Sequence, residues 1–320
     1  MTTNESTVKG TDYPAWITPD RLKRNRIVVA EVIDDRPVNH ETSLLSQTHD
    51  MACYSWSLPA GYSCPMAVYG YGAICSHCYA TLNRYLMPNV MRAQWLRFVW
   101  LRFALKNNVN VFVSTMVDAI SSHCVTVPYF RWHDSGDLFS VSYVRAVIAV
   151  CKRTPNVKHW FPTRSWQVNG GKAHRLHSNW HKALLELASL QNVSVRSSAI
   201  RFDESAPSTP YGHGSAAYTD ADGVNNGIVV LDNVVHKACP KSIKHGGTCA
   251  SENCRSCWDD DEHVAYLVHG WRGRNVPGTM SADSARARDV ARDRYMSMNI
   301  YGISSRSSVL INELMVHFYE

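Results

Sequence analysis

The arrangement of cysteines limits what this chain can fold into more than any other feature of its sequence. Of the ten cysteines, seven fall into two clusters, which we call the first cysteine set and the second cysteine set. The first set consists of Cys64, Cys75 and Cys78, and the second set of Cys239, Cys249, Cys254 and Cys257. Each set contains a pair separated by two residues, so both thiolates of the pair can reach one metal centre from a single turn. The sequence therefore predicts two metal sites.

The composition is typical of a globular protein. The chain has 320 residues, of which 45% are hydrophobic, enough for one large domain or two small ones. Residues 1–10 are polar and give no signal peptide, and the most apolar stretch, residues 99–105, contains Arg102 and is too short to span a membrane. We therefore expect a cytoplasmic protein, where clustered cysteines more often bind metal than form disulfides. The net charge of +6 permits a nucleic acid as partner but does not favour one.

Predicted strands and helices alternate along the middle of the chain. Strands are expected at residues 54–59, 127–132, 159–165 and 193–198, with apolar helices between them. Such alternation is typical of parallel βαβ units. With about six plausible strands, the chain has too few for a complete eight-stranded barrel. The prediction is an α/β fold, a partial or distorted (β/α) parallel barrel with a cysteine-rich C-terminal region.

The changes of pattern along the chain suggest three segments. Residues 1–45 are expected to form a polar N-terminal arm, because they contain few apolar periodic runs. Residues 46–235 are expected to form the α/β partial-barrel core and to carry the first cysteine set. Residues 236–320 are expected to form a cysteine-rich metal-binding region, followed by C-terminal helices that pack on the core.

Several local features refine this organisation. Ser140 and Ser178 each precede an apolar periodic run and are predicted to be helix N-caps. Residues 203–227 are rich in Gly, Ser, Pro, Asn and Asp, which predicts a long loop or a lid. An arginine-rich helix over residues 280–298 and a last apolar element over residues 309–318 are expected near the C-terminus.

The first cysteine set follows directly after the first predicted strand of the core. Three thiolates leave one position of a metal centre open, which suits a [4Fe–4S] cluster whose free iron binds a ligand. A three-ligand zinc site and a site without metal are the alternatives. Cys53 and His77 are candidates for a fourth ligand. We expect an iron–sulfur cluster here.

The second cysteine set is a complete group of four thiolates. Four thiolates suit either a structural zinc ion or a fully ligated [4Fe–4S] cluster, and their spacing does not separate the two. The sequence therefore predicts a closed metal site of either kind at this set.

Polar residues follow two of the predicted strands, where α/β proteins place their sites. A His and an Asp next to each other in the sequence suggest acid–base chemistry, and a guanidinium suggests anion binding. The predicted catalytic residues are His133, Asp134, Asp137 and Arg164, and the predicted cofactor-binding residues are Ser135, Gly136, Thr163 and Ser165. The alternative is a turn whose carboxylates bond only to local amides, with Arg164 in a salt bridge at the edge of the sheet.

Some of these motifs resemble those of a known family. Segment 56–65 contains Trp-Ser-Leu-Pro-Ala-Gly shortly before Cys-Pro. Segment 75–80 reads Cys-Ser-His-Cys-Tyr-Ala, and segment 131–137 reads Arg-Trp-His-Asp-Ser-Gly-Asp. Together with segments 163–165 and 254–258 they resemble the bacteriophage gene product eighty-eight family. The resemblance covers roughly residues 54–258 in order, and it implies a phage-encoded protein that works in the cytoplasm of the bacterial host.

A more distant resemblance is to radical S-adenosylmethionine enzymes. Those enzymes also place three cysteines after the first strand of a partial (β/α) barrel, and some carry auxiliary clusters near the C-terminus. In this chain ten residues separate Cys64 from Cys75, a wider spacing than the compact one of those enzymes, and no Gly-Gly-Glu-like segment follows the second strand. The resemblance therefore leaves binding of S-adenosylmethionine open.

The predicted function is that of a phage iron–sulfur protein with an open iron at the mouth of a barrel. Redox or radical chemistry on a small ligand follows from that arrangement, with an electron donor that the sequence does not identify. The alternative is a zinc-stapled protein without catalytic activity that binds a host protein or nucleic acid. A third interpretation is zinc-dependent hydrolysis at the first cysteine set. The sequence leaves open whether the protein is an enzyme.

Overall fold

The computed structural model describes residues 44–68, 72–81, 83–166, 174–244, 247–259 and 261–268. The predicted N-terminal arm lies almost entirely outside these residues, and so do the helix expected at 280–298 and the apolar element at 309–318. No helix in the described parts of the chain combines the length and the apolar character that crossing a membrane requires.

The elements are short, apart from the helices of the core. The helices are α1 (Pro88–Asn107), α2 (Val109–His123), α3 (Val141–Arg153), α4 (His174–Ala188) and α5 (Pro240–Ile243). The strands are β1 (Ser46–Thr48), β2 (Cys53–Trp56), β3 (Tyr129–Trp132), β4 (Lys158–Thr163), β5 (Val193–Ser197), β6 (Ser215–Tyr218), β7 (Ile228–Leu231), β8 (Val234–Ala238) and β9 (Val264–Leu267). Three 3₁₀ turns follow β2, at Ile74–His77, Tyr79–Thr81 and Asn83–Leu86.

The first sheet contains five strands in the order β1-β2-β3-β4-β5. Strand β1 is antiparallel to β2, and β2 to β5 are parallel in sequential order. Helices α1 and α2 connect β2 to β3, α3 connects β3 to β4, and α4 connects β4 to β5. Sequential parallel strands joined by helices are the arrangement of half a (β/α) barrel. The predicted α/β class is confirmed, and beyond β5 a parallel bridge between Ser198 and Ser215 leads to the second sheet.

One face of this sheet packs against the helices and forms the main core. Phe130, Trp132 and Phe161 point to this face and are fully buried together with Phe112 of α2 and Tyr143 of α3. Because side chains alternate along a strand, the other face carries the residues between them. On β3 and β4 these are Arg131 and Trp160, which are register partners in neighbouring strands. We call this second surface the inner face.

One of the two predicted helix N-caps is confirmed and the other is wrong. Ser140 is the N-cap of α3, and its Oγ accepts a hydrogen bond of 3.2 Å from the Tyr143 amide. Ser178 is not a cap, because α4 begins four residues earlier, at His174. The apolar residues Leu184 and Leu187 lie in this helix and are fully buried, as their spacing predicts.

The second sheet is small and mixed, with the order β6-β9-β8-β7. It continues from the first sheet, since the Ala199 amide donates to the Ser215 carbonyl at 2.8 Å beyond the end of β5. The prediction of a loop over residues 203–227 is wrong in part, because β6 lies within it. The small side chains of Ser215 and Ala216 fit at the buried junction of the two sheets. The second cysteine set lies between β8 and β9, and the boundary expected at residue 235 falls inside β8.

Candidate functional site

The carboxyl ends of β2, β3 and β4 meet at one edge of the first sheet, which we call the rim. The loop after β3, residues 133–137, is fastened to the loop after β2 by two hydrogen bonds. The Leu58 amide donates to the Ser135 carbonyl at 2.9 Å, and the Ser135 hydroxyl donates to the Leu58 carbonyl at 2.7 Å. These bonds hold the predicted site loop against the segment that leads to the first cysteine set.

Gly136 allows these two loops to approach closely. Its φ of +85° lies in the left-handed region that favours glycine. A Cβ at this position would lie 2.5 Å from the Ser63 hydroxyl and 2.7 Å from the Leu58 Cβ. Gly136 was predicted to bind a cofactor, and the structure gives it a role in packing the rim.

The structure brings the first cysteine set to this rim. The Asp137 amide donates to the Ser63 carbonyl at 3.1 Å, which places Cys64 beside the end of the β3 loop. Burial raises the pKa of the Cys64 thiol well above its ordinary value, and the nearby charges of Asp137, Cys78 and Cys75 raise it further. The three cysteines are therefore close enough to influence one another, next to a buried carboxylate.

The two candidates for a fourth ligand lie in different places. Cys53 opens β2, at the end of the strand opposite to the rim, and it packs in an apolar cluster with Cys257 and Trp258. Cys53 therefore lies near the second set rather than the first, because the rim is at the other end of the four-residue strand β2. The ring of His77 packs edge-on against Phe202, with the ring centroids 5.6 Å apart.

Asp134 has a buried carboxyl group with spare hydrogen-bonding capacity. Its Oδ2 accepts a long bond of 3.3 Å from the Tyr85 hydroxyl, and its Oδ1 has no partner within the described structure. Burial raises the pKa of Asp134, although the positive charges of Arg131 and Arg97 act in the opposite direction. A buried carboxyl with a raised pKa keeps its proton to a higher pH than an exposed one, which makes it a candidate for proton exchange with a ligand.

A contact connects Asp134 to the first cysteine set and to the inner face. The hydroxyl of Tyr79, the residue after Cys78, donates to the Asp134 carbonyl at 2.6 Å and accepts a bond of the same length from Arg131 Nη2. The Arg131 guanidinium also lies over the ring of Trp160, 4.6 Å from its centroid. A cation is therefore fixed beneath the rim, where it can offset negative charge on thiolates or on a bound anion.

The sequence analysis did not identify Tyr79, Tyr85, Arg97 and Arg131 as site residues. Two signals in the sequence point to them after the fact. Tyr79 directly follows a predicted ligand, and Arg131 alternates with the apolar Phe130 and Trp132 in a strand that leads into the predicted site loop. Tyr85 and Arg97 give no such signal, since only the packing of the turns and of α1 brings them to Asp134.

Asp137 fastens the rim to β4. Its Oδ1 accepts bonds of 2.7 Å from the Thr163 hydroxyl and from the Leu138 amide, and its Oδ2 accepts one of 2.8 Å from the Arg164 amide. Burial raises the pKa of Asp137 to about 6, and these bonds oppose the rise. The Ser165 hydroxyl donates to the Leu138 carbonyl at 2.6 Å. The side chains of Asp137, Thr163 and Ser165 therefore join the loop after β3 to the end of β4.

The two remaining predicted catalytic residues differ in their surroundings. His133 points to the helices, where its Nε2 lies 2.8 Å from the Tyr143 hydroxyl, and burial lowers its pKa to about 3. His133 is therefore neutral and part of the core. Arg164 is only 7% exposed, and its Nε and Nη1 have no hydrogen-bond partner within the described structure. Its guanidinium can still bind an anion.

The four cysteines of the second set line one pocket. Lys237, Lys241 and Trp258 are also part of its lining. Burial raises the pKa of Cys239, that of Cys249 to about 11 and that of Cys257 to about 12. All cysteines of the described structure are free thiols.

Contacts over long sequence distances hold the second set against the first sheet. The Cys249 amide donates to the Asp50 carbonyl at 2.8 Å, and Arg255 donates to the Met51 carbonyl at 2.7 Å. The Trp258 indole donates to the Phe130 carbonyl at 3.0 Å. The second set therefore covers the inner face near the amino ends of the strands, whereas the first set lies at their carboxyl ends.

Arg196 of β5 is fully buried and holds the segment that carries Cys254 and Cys257. Its guanidinium donates only to backbone carbonyls, which belong to Gly214, Ser256, Cys257, Asp259 and Glu262. The sequence analysis missed this residue, because an arginine in a short strand gives no sign of the segment that it will contact.

Both cysteine sets supply donor atoms that suit zinc or an iron–sulfur cluster rather than magnesium or calcium. As the side chains stand, no three His, Cys, Asp or Glu residues of the described ranges are arranged to hold a metal ion. Metal binding therefore requires the thiols of a set to lose their protons and turn toward a common centre.

The fold and the site define an α/β protein with one group of cysteines at the carboxyl ends of a half-barrel sheet and a second group near the amino ends. The family model described as Gene product 88 matches residues 32–260, more than two thirds of the chain. The chain belongs to this family of phage proteins, as its motifs suggest. Comparison with curated proteins and with solved structures gives no match. Nothing in these comparisons supports the resemblance to radical S-adenosylmethionine enzymes.

Proposed function

We propose that this phage protein is an iron–sulfur protein whose first cysteine set holds a [4Fe–4S] cluster at the rim of the half-barrel. The observation that carries the proposal is the meeting of three thiols at the carboxyl ends of parallel strands, where Cys64 lies beside the buried carboxyl of Asp137 and Tyr79 bonds to the backbone of Asp134. In α/β proteins this edge of the sheet is where ligands bind. The proposed place of action is the cytoplasm of the bacterial host, which keeps cysteines reduced.

The donor set fits such a cluster. Cys64 lies in a glycine-containing loop, Cys75 lies in the 3₁₀ turn that follows and Cys78 comes directly after that turn, and Arg131 bonds to Tyr79, the residue after Cys78. Three thiolates leave one iron without a protein ligand, so a small ligand has a place to bind. When bound, the cluster supplies electrons and this open coordination position.

The residues of the rim then have separate roles in the proposal. Asp134 gives or takes a proton at its unpartnered Oδ1. Tyr79, held in turn by Arg131, fixes the backbone of Asp134 through its carbonyl, and Arg131 provides a cationic surface for the ligand. Arg164 contributes a second guanidinium to the same edge of the sheet, and Asp137 keeps the rim loop attached to β4.

The test is a metal and sulfide assay on the full chain, purified without oxygen. The C64S/C75S/C78S variant is expected to lose close to four iron and four sulfide per chain relative to wild type, together with the broad visible absorption of the cluster. The matched control is C124S/C151S, which changes two buried cysteines that belong to neither set. Equal iron contents in wild type and the first-set variant would rule out the proposal.

A second measurement tests the open position. The electron paramagnetic resonance spectrum of the reduced protein is recorded before and after addition of cyanide or of S-adenosylmethionine. A cluster with one free iron changes its spectrum when a probe binds to it, and Asp134→Asn is expected to alter the response to S-adenosylmethionine more than the response to cyanide. An unchanged spectrum with both probes would mean that all four irons have protein ligands.

One observation favours a second function. Two predicted site residues, the catalytic candidate Asp137 and the cofactor-binding candidate Thr163, bond to each other inside the protein, and the catalytic candidate His133 points to the helices and bonds to Tyr143 through its Nε2. This is expected of a protein in which zinc at both sets stabilises a surface that binds a host protein or nucleic acid. A colourless protein that contains two zinc ions and no sulfide would support this alternative and exclude the first proposal.

A further inference from the structure

We infer that the second cysteine set binds one zinc ion that fastens the second sheet to the first, and that Arg196 positions two of its ligands. The inference does not depend on the proposed function, because it makes no use of the first cysteine set. It also chooses between the zinc and iron–sulfur alternatives that the sequence leaves open for this set.

The first argument is the chemistry of the pocket. Four thiols line it, which is the complete tetrahedral set of a structural zinc site. Lys237 and Lys241 also line the pocket, and their ammonium groups are paired with Glu262 at 2.9 Å and with Asp50 at 3.6 Å. The four ligands that zinc requires are therefore present in one place.

The second argument is the lack of any catalytic equipment at this place. Apart from the cysteines and lysines, the pocket is lined by Pro240, Ser256, Trp258 and Val264, so within the described structure it has no carboxylate and no imidazole. A closed set of four ligands offers no open coordination position. Zinc, which has no redox chemistry, satisfies this structural role, whereas an iron–sulfur cluster would bring an electron-transfer centre to a pocket with no groups for a ligand.

The third argument is the way in which the ligands are anchored. Cys239 directly follows β8 of the second sheet, whereas the Cys249 amide bonds to Asp50 beside β2 of the first sheet. Cys254 and Cys257 lie on a segment that contains turns but neither helix nor strand, residues 247–259. A metal ion held by these residues therefore joins parts of the chain that backbone pairing alone leaves separate.

Arg196 gives the segment of Cys254 and Cys257 its shape. Its guanidinium bonds to the carbonyls of Ser256 and Cys257, so the Cys-x-x-Cys turn is fixed from behind. Residues that support metal ligands from the second layer in this way typically contribute 10- to 100-fold to metal affinity.

The test of the site uses a variant that lacks the first set. C64S/C75S/C78S is dialysed and its metals are counted by mass spectrometry of the elements. One zinc per chain is expected, and adding C254S/C257S to this variant is expected to remove it. Iron with sulfide instead of zinc, or no metal at all, would overturn the inference. The control C124S/C151S is expected to retain the zinc.

A measurement on the wild-type chain covers the case in which these variants do not fold. Iodoacetamide labelling is read out cysteine by cysteine, before and after a zinc chelator. Cys239, Cys249, Cys254 and Cys257 are expected to be protected together and to become reactive together when zinc is removed, while buried Cys151 stays unreactive. Independent labelling of the four cysteines would contradict a shared zinc ion.

The role of Arg196 is tested by zinc affinity, measured by competition with a coloured chelator. Arg196→Met is expected to weaken zinc binding at least tenfold, and Arg196→Lys, which restores a charge but few of the bonds, only in part. The matched control is Arg201→Met, since Arg201 bonds instead to Glu204 at the surface. An Arg196→Met protein that is less stable but binds zinc with unchanged affinity would exclude the positioning role.

Discussion

The first cysteine set follows a strand of the first sheet and is held by the segment after β5, whereas the second set follows a strand of the second sheet and is held by the first. Beside the first set, the Ile74 amide donates to the Ile200 carbonyl at 3.0 Å. The second set depends on contacts such as that of Arg255 with Met51, residues 204 positions apart. Both sites therefore depend on residues far apart in the sequence, and only the finished fold completes either of them.

The two sets also differ in the charges that surround them. Asp134 and Asp137 lie near the first set, and both have raised pKa values because they are buried. Near the second set, carboxyls are instead paired with Lys237 and Lys241, and Arg196 bonds to the backbone. Thiols beside buried, protonatable carboxyls suit a site that exchanges protons with a ligand, and thiols beside carboxyls already paired with lysines suit one that only holds a metal. The same donor atoms thus serve different purposes in the two proposals.

The largest effect is expected from removing the long-range support of the second set. Arg196→Met leaves several buried carbonyls without a donor, so we expect the free energy of unfolding to fall by about 3–5 kcal/mol. Arg201→Met removes only a partly exposed ion pair and should cost less than about 1 kcal/mol. Urea denaturation of both variants measures the difference. Equal losses would mean that the second set does not depend on Arg196.

A smaller effect is expected from widening the contact that places the first set. Gly136→Ala and Gly227→Ala both put a Cβ on a residue with positive φ, of +85° and +77°. The backbone penalty of about 1–2 kcal/mol is common to both. Only Gly136 has neighbours in the way, so its substitution should cost a further 1–3 kcal/mol or so and should loosen the first set. Urea denaturation compares the two, and similar costs would refute the close approach of the loops.

The free energy of unfolding is also expected to depend on pH through His133. Its pKa is lowered from 6.5 to about 3 in the folded protein, so the unfolded chain binds more protons between these values. Its contribution to stability is complete above pH 6.5 and is lost as the pH falls. Between pH 7.5 and pH 5 this loss amounts to about 2 kcal/mol.

The measurement for His133 is a comparison of wild type with His133→Asn, since asparagine tolerates the positive φ of this residue, 56°. The difference in unfolding free energy between the two proteins is expected to shrink by about 2 kcal/mol from pH 7.5 to pH 5. Use of a difference cancels the opposite contribution of Asp137, whose raised pKa favours folding as the pH falls below about 6. A constant difference would show that His133 is not held neutral.

The smallest effects separate the two tyrosines that contact Asp134. Tyr79 makes two bonds of 2.6 Å, and Tyr79→Phe is expected to cost about 1–2 kcal/mol. The Tyr85 bond to the carboxylate is 3.3 Å long, so Tyr85→Phe should cost less than about 1 kcal/mol. Thermal unfolding of both proteins ranks them. The reverse order would place the support of Asp134 with Tyr85.

Much of the first sheet could be predicted from the sequence, because its helices and strands have strong periodic patterns. Helix α1 at Pro88–Asn107 and strand β3 at Tyr129–Trp132 agree with the expected elements within a few residues. The second sheet could not be predicted to the same degree. Its strands have four or five residues, and Ser215–Tyr218 contains small side chains whose pattern resembles that of a loop. Short strands owe their existence to their partners rather than to their own sequence.

The sequence by itself determined which atoms are available and which of them are neighbours along the chain. It placed three cysteines after the first strand of the core and a polar loop after the next, and chain connectivity brings such segments to the same edge of a parallel sheet. The tertiary structure alone decided which predicted residues are bonded inside the protein. The carboxyl of Asp137 is bonded there, whereas Oδ1 of Asp134 has no partner within the described structure. The tertiary structure alone also decided that Arg131 bonds to Tyr79 beside the first cysteine set and that Arg196 bonds to the backbone of the second. The physical reason is that hydrogen bonds and burial depend on what lies opposite a side chain in space, and spacing along the chain does not specify that.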